Sequence, residues 1–431
     1  MNSNPGRGLI VSAPASGAGK TLLTLGLLAA LRARGVPVRG AKSGPDYIDP
    51  RFHEAACGAP CLNLDAWAMT PERIRARSAG AGVLLIEGAM GLFDGAPPDG
   101  RGASADLARQ LALPVVLIVD ARSMAHSVVP LVQGFAHHDP AVHIAGVILN
   151  RVGSPRHAGL LRRALEGAGV TVLGALPRAP ALTTPGRHLG LIQAAEHPDL
   201  TGFIARAADL IAETVDLDRL LAEAAPLPTD TTPVTPPSPP SPPAQRIAVA
   251  RDAAFGFAYP HMLEDWRRAG AEILPFSPLA DQPPPLADLI FLPGGYPELH
   301  AGQIAAAQRF LTGLRSAARA GTMIYGECGG YMVLGQGLID ADGTRHAMVG
   351  LLDLETSFAQ RRLHLGYRHL HADTGPFAGT WRGHEFHYAT TLQARGTPLF
   401  HARDAEDTPL PPMGLRAGRV SGSFAHLIDI A

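Results

Sequence analysis

A glycine-rich loop between an apolar strand and a helical segment most constrains the fold of this 431-residue chain. The apolar run Gly8–Val11 leads into Ser12–Thr21, which reads Ser-Ala-Pro-Ala-Ser-Gly-Ala-Gly-Lys-Thr, and an amphipathic stretch follows over Leu22–Arg34. Strand, glycine-rich loop and helix in this order form the context of a phosphate-binding loop. Pro14 replaces the usual first glycine, so the loop is a variant. A structural glycine turn is the alternative, which the Lys-Thr pair disfavours.

The residues of this loop predict a site for the phosphates of ATP. Its backbone N–H groups would face phosphate oxygens at the N-terminus of the helix. The Lys20 ammonium would pair with the β- and γ-phosphates, and the Thr21 hydroxyl would bind Mg²⁺. The predicted nucleotide-binding residues are Ser16, Gly17, Ala18, Gly19, Lys20 and Thr21.

Polar residues also follow three other strands. Glu87 ends the apolar run Leu84–Ile86 beside glycines, where a carboxylate can hold Mg²⁺ against phosphates. Asn150 ends Val147–Leu149, a position where nucleotide-binding folds often recognise a base. The loop 42–50 after the second strand holds a cation, carboxylates and prolines, and a plain solvated loop is the alternative interpretation. We predict substrate contacts from Lys42, Asp46, Tyr47 and Asp49, with Asp46 also a metal ligand.

Cys328 lies in a second motif, Gly326-Glu-Cys-Gly-Gly330, which follows an apolar strand. This is the thiol version of a nucleophile elbow, and a helix N-terminus beside it would favour the reactive thiolate. A buried structural cysteine is the alternative. The strand-ending Gly294 and Gly295, together with Gly329, would supply backbone N–H groups for an oxyanion hole.

A nucleophilic cysteine also needs a base, and several histidines are candidates. His426 follows a Gly/Ser-rich turn near the C-terminus, whereas His384 and His387 lie in the run Gly383–Tyr388. Spacing does not choose among the three.

Apolar runs that alternate with helical patterns predict an α/β chain of two domains. Strands are expected at 9–11, 36–41, 83–86, 115–119, 143–149 and 171–173, and then at 246–250, 272–274, 288–292 and 322–325. Short continuous apolar runs are typical of buried parallel strands. Prolines concentrated in 226–243 predict an extended spacer. The expected organisation is a P-loop domain with a doubly wound parallel sheet at 1–225, a linker at 226–244 and a second α/β domain at 245–431.

Composition excludes several classes of protein. With 37 basic and 38 acidic residues the net charge is −1, so no global field indicates nucleic acid or membrane as a partner. Three cysteines without zinc spacing favour a reducing compartment. The N-terminus resembles no leader, and no run of 18 apolar residues occurs. We therefore expect a cytoplasmic enzyme that acts on small molecules, with a homodimer as one open alternative.

These motifs together resemble a known family over essentially the full length outside the spacer. The Cys328 elbow, the loop 293–298 and a histidine after Gly-Ser are similar to a class I glutamine amidotransferase domain. The first domain resembles the dethiobiotin synthetase type of P-loop fold. Their order, with 42–50, 86–95 and Gly383–Tyr388, resembles the cobyrinic and hydrogenobyrinic acid a,c-diamide synthases.

The resemblance implies a ligase of cobalamin biosynthesis with Cys328 as nucleophile and His426 as its activator. Glutamine would release ammonia at Cys328, ATP would convert the a and c acetate carboxylates to acyl phosphates, and ammonia would displace phosphate. Class I domains usually place a glutamate two residues after the histidine, but position 428 is isoleucine, so a Cys-His dyad is expected.

Two alternatives stay open at this point. The substrate could be another tetrapyrrole, such as nickel sirohydrochlorin, or other corrinoid side chains, as in cobyric acid synthase. A nucleotide-dependent regulatory protein with a degenerate glutaminase domain is the second alternative, which Lys20, Glu87 and Cys328 disfavour.

Overall fold

The computed structural model of the chain describes residues 6–182, 186–187, 190–228 and 241–431. The chain divides into two compact units, Met1–Pro237 and Ser238–Ala431, here called the N-terminal and C-terminal units. The expected extended spacer falls largely on residues 229–240, which lie outside the described residues. Across the described ranges, the chain has no helix with the length and hydropathy of a membrane span.

A mostly parallel sheet forms the centre of the N-terminal unit. Its strands are β1 (Arg7–Ser12), β2 (Val38–Ser43), β3 (Leu62–Leu64), β4 (Val83–Glu87), β5 (Val115–Asp120), β6 (Ile144–Val152) and β7 (Val172–Pro177). They lie in the order β3-β2-β4-β1-β5-β6-β7, and every neighbouring pair is parallel. Two short strands, β8 (Gly186–Arg187) and β9 (Gly190–Leu191), form a ribbon, and β10 (Ala225–Pro226) pairs antiparallel with β1.

The helices of this unit alternate with the strands. They are α1 (Lys20–Ala33), α2 (Asp49–Cys57), α3 (Pro71–Ser78), α4 (Ser104–Leu111), α5 (Val128–His138), α6 (Pro155–Gly167), α7 (Leu200–Thr214) and α8 (Leu217–Glu223). Side-chain caps define where several of them begin: Ser154 accepts a hydrogen bond from the third residue of α6, and Asp199 does the same for α7. The residues of β1, β4 and β5 are nearly all buried, as expected for strands covered on both faces.

Strand order brings the polar strand ends to one edge of the sheet. Because β1 and β2 both flank β4 in parallel, Val11 and Lys42 each lie beside Glu87 in the register. In parallel α/β sheets, ligands bind at the carboxyl ends of the strands. The six strands expected in this half all occur, and β3 is an addition that the sequence analysis did not predict.

The C-terminal unit contains a larger mixed sheet. Its strands are β11 (Arg246–Ala250), β12 (Glu272–Phe276), β13 (Leu289–Leu292), β14 (Met323–Glu327), β15 (Gly337–Ile339), β16 (Arg345–Ala347), β17 (Asp353–Ser357), β18 (His364–Ala372), β19 (Gly379–His387), β20 (Thr390–Arg395), β21 (Thr397–Arg403), β22 (Pro409–Ala417), β23 (Val420–Ser423) and β24 (His426–Ile430). Its helices are α9 (Pro260–Arg268), α10 (Ala301–Ala306), α11 (Gln308–Arg319) and α12 (Gly329–Leu334).

Two kinds of pairing meet in this sheet, which runs β12-β11-β13-β14-β23-β22-β21-β18-β19-β24. The first five strands pair in parallel, and the rest pair antiparallel. A second sheet has the order β16-β15-β17-β20. Apolar side chains of β13, α11 and α12 form the core around Leu292, Phe310 and Tyr331.

The strands expected from the sequence agree with those observed in the first half of this unit but not in the second half. Strands β11 to β14 occur close to their expected positions, and between β13 and β14 the chain forms two helices, α10 and α11, separated by Ala307. The ten strands that follow α12 were not predicted, and they make the C-terminal hundred residues a β structure.

Candidate active sites

The glycine-rich loop of the N-terminal unit connects β1 to α1. Gly17 and Gly19 have φ values of 80° and 96°, in the left-handed region that glycine adopts without steric cost. A Cβ on Gly19 would lie 2.4 Å from Nδ2 of Asn150, so this position has no room for a side chain. Since α1 begins at Lys20, the unpaired N–H groups of its first turn lie at the loop. This is the geometry of an anion-binding loop.

Asn150 and Arg151 hold the loop from β6. The Nδ2 group of Asn150 donates a hydrogen bond to the carbonyl of Ala18 at 2.8 Å. The guanidinium of Arg151 donates to the carbonyl of Gly17 at 2.7 Å and pairs with Asp120 at 2.6 Å. The structure thus places Asn150 against the loop itself, and its expected contact with a base stays a prediction.

A buried cluster of charges lies beside the loop. The ammonium of Lys42 is 2.6 Å from Oδ2 of Asp49 and 2.9 Å from Oε1 of Glu87. The Thr21 hydroxyl donates to the same Glu87 oxygen at 2.7 Å and to the same Asp49 oxygen at 3.2 Å. Lys20 reaches the carbonyl of Met90, in the loop that follows β4. The predicted residues Lys20, Thr21, Lys42, Asp49 and Glu87 are therefore brought together.

Burial and mutual attraction set the charges of this cluster. Burial would lower the pKa of Lys42, but Asp49 and Glu87 outweigh it and raise that pKa above its ordinary value. Burial would raise the pKa of Glu87, yet Lys42 and His53 hold it below its usual range. Burial, with Asp46, raises the pKa of Asp49 to about 7. Lys42 and Glu87 thus form an ion pair. The charged form of Asp49 is the least stable of the three, so a further cation would stabilise it most.

His53 is a residue of this site that the sequence analysis missed. It lies on α2 and is fully buried, and its Nε2 is 2.5 Å from Oε2 of Glu87. Glu87 therefore binds Lys42 and Thr21 through one carboxylate oxygen and His53 through the other. No motif marks His53 in the sequence, because its importance depends on the pairing of β2 with β4 that brings α2 against Glu87.

The structure separates the two aspartates of the loop 42–50. Oδ1 of Asp46 accepts hydrogen bonds from the backbone N–H groups of Ile48 and Asp49 at 2.7 and 3.1 Å, which stabilises the start of α2. Its Oδ2 is 4.0 Å from the Lys42 ammonium. Asp49, and not Asp46 as the metal prediction had it, lies beside Thr21. Tyr47 is buried, with 9% of its surface exposed.

These residues line a cavity of about 650 Å³ in the N-terminal unit. This volume suits a nucleotide or another small ligand. Its wall contains side chains or backbone of Ser16, Gly17, Gly19, Lys20, Thr21, Lys42, Asp46, Asp49, Glu87 and Asn150. Most of the predicted nucleotide, metal and substrate residues therefore face one cavity.

In the C-terminal unit, Cys328 occupies a sharp turn between β14 and α12. Its φ of 47° and ψ of −106° lie outside the regions that non-glycine residues usually adopt. A Cβ on Gly330 would lie 1.9 Å from the carbonyl oxygen of Leu292, and one on Gly326 would lie 2.7 Å from Gly330. Glycines are therefore required on both sides of the cysteine, as the elbow interpretation predicts.

The expected oxyanion residues lie next to the elbow. A Cβ on Gly329 would lie 3.1 Å from the amide nitrogen of Gly295, so the two backbones approach closely. A Cβ on Gly294 would lie 3.2 Å from Cβ of Cys328. The structure brings all three predicted glycines close to Cys328.

A Cβ on Gly294 would also lie 2.3 Å from Cε1 and 2.8 Å from Nε2 of His426. Because Gly294 has no side chain, the imidazole and Cys328 can both lie against it. His426 begins β24 and is fully buried. His387 instead pairs with Glu385 at 2.9 Å and stacks on Phe424. The geometry therefore supports His426 as the base.

The thiol of Cys328 is not activated by its position alone. Burial, together with the nearby Glu298, raises the pKa of Cys328 above its ordinary value, although the N–H of Gly329 opposes this. The expectation of a thiolate favoured by a helix dipole is wrong here, because Cys328 is only 3% exposed and burial outweighs the opposing N–H of Gly329 at the start of α12.

Comparison with known proteins agrees with this division. Residues 9–192 match the family described as "CobQ/CobB/MinD/ParA nucleotide binding domain", and residues 246–429 match "CobB/CobQ-like glutamine amidotransferase domain". The chain is 54% identical to the hydrogenobyrinate a,c-diamide synthase of Brucella anthropi, with 98% of each chain covered. It is 52% identical to the protein of that name from Rhodobacter capsulatus, over 99% of this chain and 100% of the relative. The chain belongs to the hydrogenobyrinate a,c-diamide synthase family.

Membership of this family confirms the resemblance drawn from the motifs. It also confirms the predicted fold class, a P-loop α/β domain followed by a glutamine amidotransferase domain, and the predicted enzyme class, a glutamine-dependent ligase. The roles of individual residues stay predictions, which the distances given above support.

The run Gly383–Tyr388 singled out in the sequence has a structural explanation within this family's amidotransferase domain. It lies on β19, where His384 pairs with His426 of β24. A Cβ on Gly383 would lie 2.7 Å from the carbonyl oxygen of His426. The motif therefore pairs with the strand that carries His426.

Three side chains near this motif have metal-ligand character. His364, Glu385 and His387 place their ligand atoms within 4.8 Å of one another. Arg368 already binds Oε2 of Glu385 at 3.0 and 2.8 Å, and His387 binds Oε1. Since both carboxylate oxygens of Glu385 are bound by side chains, the structure shows this group as a hydrogen-bond network.

Proposed function

We propose that the protein amidates the a and c acetate carboxylates of hydrogenobyrinic acid, using ATP and glutamine. The observation that carries the proposal is the presence, on one chain that matches its relatives end to end, of two complementary sites. One gathers Lys20, Thr21 and Glu87 at a phosphate-type loop, and the other gathers Cys328 and His426 at an elbow.

In the N-terminal unit, a substrate carboxylate would attack the γ-phosphate of ATP, giving an acyl phosphate and ADP. The loop N–H groups of residues 16–20 and the Lys20 ammonium would bind the phosphate oxygens. Burial disfavours the charged form of Lys20 and lowers its pKa, and bound phosphates would offset this by stabilising the ammonium. Ammonia would then attack the acyl carbon, and phosphate would leave.

Magnesium fits the donor set of this site. In octahedral Mg²⁺ sites with ligands at 2.0–2.1 Å, adjacent oxygens are about 2.9 Å apart. The Thr21 hydroxyl lies 2.7 Å from the Glu87 oxygen and 3.2 Å from the Asp49 oxygen, close to that spacing. We propose that Thr21, Asp49 and Glu87 hold the ion, whereas Asp46, the ligand expected from the sequence, accepts hydrogen bonds at the start of α2. Bound there, Mg²⁺ would neutralise the phosphate charge.

In the C-terminal unit, Cys328 Sγ would attack the side-chain amide of glutamine while His426 takes the thiol proton. The N–H groups of Gly295 and Gly329 would stabilise the oxyanion. His426 would return the proton to the departing ammonia, leaving a glutamyl thioester that water hydrolyses. Because burial keeps the thiol protonated, proton transfer to His426 must accompany the attack.

Mass analysis of the products tests the proposal. Purified protein with ATP and glutamine is expected to convert hydrogenobyrinic acid to its diamide, with one ADP formed per amide. Cobyrinic acid and nickel sirohydrochlorin, offered in parallel, distinguish the substrate alternatives. Failure to form an ATP-dependent amide on any of the three would contradict the proposal.

We also propose that the protein works in the cytoplasm as a homodimer. Its three cysteines are all free and buried, which suits a reducing compartment. Exposed leucines at Leu363 and Leu365, in and beside β18, would suit a contact between copies. Fractionation of cells and light scattering of the purified protein test these two proposals.

A further inference from the structure

The second residue after the base is where class I amidotransferase domains usually carry an acid. Here it is Ile428, which is buried, and its carbonyl oxygen accepts a hydrogen bond from His261 at 2.8 Å. An imidazole that is to act as a base must keep one tautomer and one orientation. In this chain those constraints must come from a residue outside β24.

Glu327 is placed to supply them. It is the last residue of β14, directly before Cys328, and only 2% of it is exposed. Its Oε2 is 3.5 Å from Nδ1 of His426, and its Oε1 accepts a hydrogen bond from the N–H of Leu427 at 3.0 Å. One carboxylate therefore contacts both the imidazole and the backbone that follows it. Catalytic contacts of this length are common without substrate and tighten when it binds.

The imidazole has the polarity that catalysis needs. Its Nδ1 faces Glu327, whereas its Cε1 and Nε2 face the Cβ position of Gly294, next to Cys328. A carboxylate at Nδ1 holds the proton on that nitrogen and leaves the Nε2 lone pair toward the thiol. It also stabilises the imidazolium that forms when the thiol proton is transferred.

We propose that Glu327 is the positioning residue of the glutaminase site, taking the place of the acid that position 428 lacks. It acts through His426 and does not touch glutamine. Parallel pairing explains how it reaches the base: β14 runs beside β23 with Glu327 opposite Ser423, and the chain then returns as β24 with His426 at its start.

Other charges around the thiol have different partners. Glu385 is held by Arg368 and His387. Burial, together with the neighbouring His426 and Arg368, lowers the pKa of His384 to about 3, so His384 stays neutral in the working pH range. Glu298 and Glu327 both raise the pKa of Cys328.

Replacement of Glu327 by glutamine separates this role from a structural one. In Glu327→Gln the amide oxygen can still accept from Leu427, so the backbone contact is kept. The amide NH₂ would then face Nδ1 and favour the wrong tautomer, with its proton on Nε2. We expect kcat/KM for glutamine hydrolysis to fall about 10²–10⁴-fold. The acid limb of its pH profile should move to lower pH, because the imidazolium loses the anion that stabilises it.

Ammonia-dependent amidation and thermal unfolding of the full chain serve as controls and should be unchanged. Glu327→Asp should restore part of the glutaminase rate. Glu272→Gln, which neutralises an exposed glutamate of the same unit, should have no effect.

A double-mutant comparison decides whether Glu327 acts through His426. The rate of thiol alkylation by iodoacetamide can be measured even in inactive variants. In a His426→Ala background, Glu327→Gln should cause no further loss of alkylation rate beyond about twofold. Full additivity of the two changes, or a normal glutaminase pH profile in Glu327→Gln, would overturn the proposal.

Discussion

A close steric constraint in the glutaminase site lies between Gly294 and the imidazole of His426. In Gly294→Ala the new methyl group would lie 2.3 Å from Cε1 of His426, where ordinary contacts begin at 3.4 Å. The imidazole must therefore retreat by about 1.1 Å, away from Cys328. The backbone of Gly294 is not in the left-handed region, so the substitution acts through this contact and not through φ.

A displacement of about 1 Å at a reacting group costs about 10²-fold in rate. We expect kcat/KM for glutamine to fall by at least this factor in Gly294→Ala, while ammonia-dependent amidation is kept. The assay couples glutamate release to a dehydrogenase and is run beside thermal unfolding of the variant.

Gly302→Ala is the matched control. It adds the same methyl group to α10 in the same unit, at ordinary contact distances of 3.6 and 3.8 Å from His346. It should leave glutaminase activity intact. Wild-type glutamine hydrolysis in folded Gly294→Ala would refute the placement of His426 as the base.

Three further predictions concern the division of labour between the sites. Cys328→Ala should abolish glutamine-dependent synthesis and keep synthesis from ammonia, as measured by diamide yield; equal loss of both in folded protein would contradict the assignment. Lys20→Ala should reduce ammonia-dependent amidation by about 10²–10³-fold and leave glutamine hydrolysis unchanged, and normal ATP turnover would refute the loop assignment. Asp49→Asn should impair amidation more than Asp46→Asn, because Asp49 contacts both Lys42 and Thr21 whereas an asparagine at 46 can still accept the hydrogen bonds that start α2; product masses over time would reveal the opposite order.

The sequence was most informative where backbone conformation alone determines function. The loop around Gly17 and Gly19 and the elbow around Cys328 need glycine at fixed spacings, since a side chain there would overlap neighbouring atoms. Such requirements are visible in one sequence. The strands before these turns are continuous apolar runs, so they could be predicted as well.

Contacts that depend on strand pairing could not be predicted from the sequence. His53 Nε2 lies 2.5 Å from Oε2 of Glu87, and Oε2 of Glu327 lies 3.5 Å from Nδ1 of His426. In each pair the two residues are far apart in the sequence. Neither His53 nor Glu327 stands in a recognisable motif for its role. The pattern of class I domains directed attention to position 428, whereas the carboxylate at His426 comes from the residue before the nucleophile.

The β-rich end of the chain was missed for a related reason. Strands such as β18 and β22 are mostly half-exposed or exposed, so they lack the continuous apolar runs that mark buried parallel strands. Their alternation is interrupted by glycine and proline, as at Gly366 and Pro412. Only the structure shows that β19 pairs with β24, with His384 opposite His426.

Buried charges are paired in the site of the N-terminal unit, whereas the charges around Cys328 disfavour a thiolate. This difference affects how the thiol reacts. In the N-terminal unit Lys42 and Glu87 compensate each other, so the cluster is charged at rest. Around Cys328, burial and the carboxylates Glu298 and Glu327 all raise the pKa of the thiol. A resting thiolate would be repelled by both carboxylates, whereas an imidazolium formed at His426 would be attracted to Glu327. The same carboxylate therefore opposes a resting thiolate and favours proton transfer to the base, so the site is arranged to form its nucleophile when glutamine is attacked and not before.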